Sequence, residues 1–152
     1  MFTCNIESFP IVYFTIHKNP DSLKELDDLY DTWFRLYDRQ TYMLYIIDMT
    51  AIQTCDMKYI LSLVQFSKKI KSYQPWVSCT VFYFKTTTLK SLFEIAIQME
   101  SPIRPIILTQ EQSVITDILQ KQLQYSSLND YKVYKPKSYT FDNVFETISQ
   151  IF

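Results

Sequence analysis

The sequence predicts a single α/β domain with a mixed, mostly parallel sheet of four to five strands covered by about four helices. Three observations predict it. Strand-like and helix-like segments alternate along residues 9–123, the pattern of a parallel sheet with helices packed on it. Each strand-to-strand connection in that span is long enough to hold a crossover helix, which parallel neighbours require. Of the 152 residues, 47% are hydrophobic and 20% charged, a balance that supports one core burying roughly 70% of the surface the unfolded chain exposes.

Residues 10–17 (PIVYFTIH) are β-branched and aromatic and form the first full strand; residues 2–7 can pair with it as an edge strand through a turn at Ser8-Phe9-Pro10. Asn19-Pro20-Asp21-Ser22 then opens a helix, with Ser22 three residues before Glu25 as in a capping box. Its apolar positions Leu23, Leu26, Leu29, Tyr30, Trp33, Phe34 and Tyr37 recur at intervals of three and four, while Lys24, Asp27, Asp28, Asp31 and Arg35 face water. Residues 42–49 (YMLYIIDM) are almost continuously apolar, as a central strand buried on both faces should be. Asp56 is placed to cap the next helix, residues 57–73, whose inward positions are Met57, Ile60, Leu61, Val64, Phe66 and Ile70. Gln74-Pro75 stops it.

A third unit repeats the pattern. Residues 77–84 form a strand, Thr86-Thr87-Thr88 supplies a cap, and a helix over residues 89–99 carries Leu89, Leu92, Phe93, Ala96 and Ile97. In a fourth unit, residues 106–108 form a short strand and residues 111–123 a helix with Val114, Ile115, Ile118 and Leu119 inward. Residues 124–152 depart from this alternation. They begin polar and tyrosine-rich, and end in a stretch suited to an appended helix bearing Phe141, Val144, Phe145, Ile148 and Phe152. The expected organisation is a domain over residues 1–123 and a C-terminal extension over 124–152 that packs on it or on a dimer mate.

Composition narrows the chemistry. The chain contains no glycine, where average usage of about 7% would supply about ten. Loops that wrap phosphates need residues without a Cβ, so the P-loop, the dinucleotide fingerprint, the kinase loop and the nucleophile elbow are all excluded. A net charge of −1 provides no overall field toward nucleic acid or anionic lipid. Cys4, Cys55 and Cys79 are scattered and odd in number, so they form neither a metal motif nor a fully paired disulfide framework. A reducing compartment fits, and with no apolar run of about 18 residues or signal-peptide pattern the expected location is the cytosol, the nucleus or a particle assembled there.

The second unit carries a family resemblance. Ile46-Ile47-Asp48-Met49-Thr50-Ala51-Ile52-Gln53-Thr54-Cys55-Asp56 resembles the signature of STAS domains, the anti-sigma-factor antagonists of the SpoIIAA type: an Asp at a strand end, an apolar residue four on, and a second Asp eight on that opens a helix. Asp48, Ile52 and Asp56 occupy those places, and the order of elements over residues 10–123 also matches. The resemblance implies a scaffold that docks onto another protein around this loop and helix; some relatives bind small ligands there. One departure removes a mechanism: where phospho-switched members carry Ser, Ser or Thr, and Gly after the second Asp, this chain has Met57, Lys58 and Tyr59. The candidate partner- or ligand-binding residues are therefore Asp48, Thr50, Thr54, Asp56, Met57 and Lys58, without a phosphorylation switch.

Each candidate has a plainer reading. Asp48 sits at the carboxyl end of a central strand, where open α/β sheets bind ligands, yet Asp also simply builds loops there. Asp56 reads first as a helix cap. His17 is the only histidine, so a triad or zinc site would have to use it, with Asp21 and Ser22 nearby in sequence. Lys68, Lys69 and Lys71 precede Tyr73 and Trp76, and Lys132, Lys135 and Lys137 alternate with Tyr131, Tyr134 and Tyr139; interleaved rings and cations suit single-stranded nucleic acid, and equally suit solvated faces. The leading expectation is a non-enzymatic, homodimeric STAS-like module that binds another protein and needs no metal or cofactor. The alternatives are a lipid- or nucleotide-binding protein using Asp48, Thr50 and Thr86, and a nucleic-acid accessory protein.

Overall fold

A computed structural model of the chain describes residues 1–73, 75–120 and 133–134. Its strands and α-helices run β1 (Phe2–Asn5), β2 (Ile11–Ile16), α1 (Leu23–Leu36), β3 (Met43–Asp48), α2 (Met57–Ile70), β4 (Val77–Tyr83), α3 (Thr87–Met99), β5 (Ile106–Thr109), α4 (Gln112–Gln120) and β6 (Val133–Tyr134). They build one mixed sheet in which the strands lie in sequence order, β1-β2-β3-β4-β5-β6. The three inner pairings, β2 with β3, β3 with β4 and β4 with β5, are parallel. Both outer pairings are antiparallel. The α/β class expected from the sequence is the one observed. The two-residue β6 is an addition to the expected strands, and apart from it the extension over residues 124–152, with its expected helix, lies outside the described residues.

Sequential order has a geometric consequence. When each parallel strand is added on the same side of the last, crossovers of one hand carry every helix to the same face. The packing follows this rule. One core joins Val12, Phe14 and Tyr45 of the sheet to Ile60 and Val64 of α2 and to Leu89 and Phe93 of α3. Against it α1 packs Leu36 and the half-buried Leu29 and Trp33. On the opposite face a smaller core joins Leu44, Ile46, Cys79, Val81 and Ile107 to Ile115 and Ile118 of α4. β3 is thus enclosed from both sides, and its first five residues are all buried, as its unbroken apolar run requires.

Aromatic rings fill the seam between α1 and the sheet. Phe14, 1% exposed, lies 5.5 Å from Tyr45 edge-on and 5.9 Å from Trp33 stacked, with Phe2 at 6.2 Å. Tyr30 stacks on Phe66 of α2 at 4.1 Å, and its hydroxyl shares a 3.1 Å hydrogen bond with Ser62. On β4 one extra residue enters the register: Met43 faces Val77 and Leu44 faces Cys79, so Ser78 bulges, and its buried hydroxyl donates to the Met43 carbonyl at 3.1 Å.

Several local expectations need correction. Leu23, assigned to the inward stripe of α1, is 49% exposed. Ser22 occupies the cap position without a side-chain bond; Glu25 instead reaches back one residue further, accepting from the Asp21 amide at 2.7 Å. In α2, Met57 and Leu61 are 44% and 41% exposed while Ile60, Val64 and Phe66 are buried. The helix sits in a layer between α1 and α3, and only the stripe facing the sheet and its neighbours is covered.

A glycine-free chain must also turn without glycine. After α1, Gln40 adopts φ 50° and ψ 41°, the single positive φ among the described residues, with its amide donating to the Tyr37 carbonyl at 3.0 Å. A residue with a Cβ loses about 1–2 kcal/mol there. Gln40→Gly is therefore expected to raise stability by about 0.5–1 kcal/mol, the strain relief less the added entropy of the unfolded chain; a urea midpoint that falls would contradict the assignment. Phe14→Ala should cost about 3–5 kcal/mol and Leu23→Ala within about 0.5 kcal/mol. Equal losses for the two in urea unfolding would show that the helix register is wrong.

Candidate functional site

The carboxyl ends of β3 and β4 carry the sequence-identified residues, and the local structure explains why each is there. Asp48 ends β3. Its carboxylate accepts from the Thr50 amide at 2.9 Å and from the Thr50 hydroxyl at 2.7 Å, so it closes a turn that glycine would otherwise ease. The Met49 amide donates to the Tyr83 carbonyl at 2.8 Å, which keeps the chain on β4 one residue past the strand. The Ile52 amide then reaches the Met49 carbonyl at 3.0 Å, and the Ile52 side chain, 2% exposed, drops into the main core.

Neighbouring loops hold the rest of this segment. The Thr86 hydroxyl donates to the Gln53 carbonyl at 2.7 Å and accepts from the Leu89 amide at 3.3 Å, capping α3 with the same group that ties down the loop. From the other side the Asn19 amide group donates to the Thr54 carbonyl at 3.0 Å, and the Tyr59 hydroxyl donates to the Pro20 carbonyl at 2.9 Å. Three consecutive connections are joined in this way. Asp56 stands at the cap position of α2 with extended backbone, but its side chain makes no capping bond, unlike the reading from the sequence.

The candidate residues therefore divide. Asp48 and Thr50 are half-buried and bonded to each other, whereas Thr54, Asp56, Met57 and Lys58 are exposed side by side on the rim. Leu61, one helical turn beyond Met57, extends that exposed group; its spacing alone had suggested an inward position. The Lys58 ammonium sits 5.0 Å from the centre of the Tyr59 ring.

Elsewhere the alternatives are less assembled. The ring of His17 shares a 3.1 Å hydrogen bond with Thr3, while Asp21 pairs with Lys18 at 2.7 Å. Two of the three groups a triad would need are thus bonded to other partners. Burial pushes the thiols of Cys4 and Cys55 above the usual range and that of Cys79 up to about 12, the reverse of what a nucleophilic thiolate needs. Among the described residues no three of His, Cys, Asp and Glu cluster as metal ligands would, and no helix is long and apolar enough to cross a membrane. Lys71 and Lys68 flank Glu100, and Lys69 lies 5.7 Å over Phe34. Lys132, Lys135 and Lys137 fall outside the described residues.

Compared with family models, curated proteins and solved structures, the chain matches none.

The double use of Thr86 is open to a direct check. Thr86→Val removes both the cap acceptor and the donor to Gln53, and should lower unfolding free energy by about 1–2 kcal/mol. Thr86→Ser keeps both groups and should lie within about 0.5 kcal/mol of the parent in urea titration. Equal losses in the two variants would mean the hydroxyl does not hold the loop.

Proposed function

We propose that this chain is a non-catalytic docking module of STAS-like fold that binds another protein through the rim formed by residues 50–56 and the first two turns of α2. One observation carries the reading: Met57 and Leu61 stand exposed, one helical turn apart, beside a loop tied from both sides by Thr86 and Asn19. Large apolar side chains on a rigid support bind well, because little conformational freedom is lost on contact. Flanking Asp56 and Lys58 supply a polar margin of both signs, as interface rims do. The places of Asp48, Ile52 and Asp56, and the succession of an edge strand followed by four strand-helix units, support the STAS-like assignment.

With Met57 and Lys58 where phospho-switched relatives carry hydroxyls, docking in this proposal is constitutive and set by concentration. Pairing of the chain with itself belongs to the same proposal.

A photo-crosslinking amino acid placed at Lys58 in the full chain tests the reading in its native cell extract. A discrete protein adduct is expected, reduced at least tenfold when Met57→Asp and Leu61→Asp are introduced together, since two central apolar anchors at about 1 kcal/mol or more each set that scale. Far-ultraviolet circular dichroism should be unchanged, both positions being exposed. An adduct insensitive to the double substitution would refute the rim as the docking surface, and light scattering that shows only monomer at micromolar concentration would remove the dimer.

A further inference from the structure

Between the sheet and its three-helix layer lies a cavity of about 190 Å³. Ile47 of β3 and Phe82 of β4 form its floor, and Val64 of α2 with Ala96 and Ile97 of α3 form its cover. The two floor residues keep 7% and 8% of their surface at the centre of the sheet, where Leu44, Cys79 and Val81 on the opposite face keep 0%. Packing is complete beneath α4 and falls short beneath the other three helices. The volume exceeds the roughly 150 Å³ of an apolar cavity that stays dry and takes up benzene. Protein interiors otherwise pack to crystal density, so a void of this size forfeits dispersion contacts that an apolar occupant would restore.

Several polar groups around the cavity are already committed to partners. The Tyr30 hydroxyl shares its 3.1 Å bond with Ser62, and the Tyr59 hydroxyl donates to the Pro20 carbonyl at 2.9 Å. Glu100 is ion-paired to Lys71 with Lys68 at 4.0 Å, and Arg104 is hydrogen-bonded to Tyr42. These two lining charges are therefore engaged within the protein. Thr80 differs. Two residues before Phe82, it shares that residue's face of β4; it is buried, it lines the cavity, and its hydroxyl makes no hydrogen bond among the described residues. A buried hydroxyl without a partner is costly, so one at the wall of a void is a place for a ligand's hydrogen-bonding group. Water needs two to four polar partners, and beside Thr80 stand Tyr45 across the register and Phe82 along the strand.

We propose that the cavity binds one uncharged molecule with a compact hydrocarbon body and a single hydroxyl, a phenol or alcohol of about one-ring size, whose hydroxyl meets Thr80. The body restores the dispersion contacts that the void forfeits, and the hydroxyl gives Thr80 the partner it lacks. An ionic ligand is disfavoured, because burying a charge without a partner costs more than these contacts return. The site lies inside the fold, is distinct from the rim and does not depend on the docking reading.

Calorimetric titration of the full chain with p-cresol, toluene, benzoate and benzylamine at neutral pH tests this, together with methyl-resolved nuclear magnetic resonance. The two neutral probes should each bind about tenfold or more tightly than either ion, and their shifts should centre on the methyls of Ile47, Val64 and Ile97. Thr80→Val keeps the shape of the side chain; it should weaken p-cresol about fivefold or more and leave toluene equal or tighter. Ala96→Phe, which fills the cavity, should abolish binding of both neutral probes. Should that variant fail to fold, the Thr80→Val comparison and the parent methyl shifts still decide the matter. No p-cresol binding, benzoate or benzylamine as tight as p-cresol, shifts confined to exposed Leu23 and Ile95, or equal effects of Thr80→Val on p-cresol and toluene would each overturn the proposal.

Discussion

The structure depends on the burial of β3 and β4 from both sides. A strand such as β3, with Met43, Leu44, Tyr45, Ile46 and Ile47 all buried, is stable only if hydrocarbon covers both faces of the sheet at its centre. Consecutive parallel crossovers place α1, α2 and α3 on one face, so the other must be covered by a helix from beyond β5. There α4 delivers Ile115 and Ile118 onto Leu44, Ile46, Cys79 and Val81. Coverage on that face is centred on β3 to β5, and on β2 the residues pointing the same way, Ile11, Tyr13 and Thr15, are only half-buried.

The same asymmetry places the site. Three helices on one face require three successive strand-to-helix connections along one edge of the sheet, at the carboxyl ends of β2, β3 and β4. They lie close enough to bond to one another, with Asn19 on the first, Thr54 and Gln53 on the second and Thr86 on the third. Glycine would let each turn close by itself. Without it, Asp48, Thr86 and Asn19 close them by side-chain hydrogen bonds, and a loop built that way resists local opening better than a free one.

How much of this the sequence disclosed depended on the range of the interaction involved. The five main strands and four helices were legible because each reports a local period: two in PIVYFTIH, near-continuous burial in YMLYIIDM, three and four in α1 and α3. The caps were only half legible. Thr86 bonds as its sequence context suggests, whereas Ser22 and Asp56 hold cap positions without capping bonds, since a hydroxyl or carboxylate at the right place is necessary but does not fix the rotamer. Periodicity could not show that Met57 and Leu61 face outward, because a helix flanked on both sides has a covered arc set by its neighbours and not by its own spacing. Nor could it show which face α4 would cover, or that β6 would pair with β5. The cavity is least legible of all, being a shortfall in volume among side chains drawn from several separate strands and helices.

The division of labour at the rim follows from the missing glycine. Every polar group spent on holding a loop is withdrawn from the surface: both bonds to the Asp48 carboxylate come from Thr50, and the Thr86 hydroxyl is used as donor and acceptor at once. The side chains left exposed are those that do no structural work in the turn, and in the first two turns of α2 these are Met57, Lys58 and Leu61. A phosphate-binding or catalytic loop needs backbone amides or polar side chains left open to its substrate. Here the Asp48 carboxylate and the Thr50 and Thr86 hydroxyls are engaged within the scaffold, while Thr54 and Asp56 stay exposed beside Met57, Lys58 and Leu61. In the proposed docking role, that mix of hydrocarbon and both charges would favour shape-selective contact with a protein.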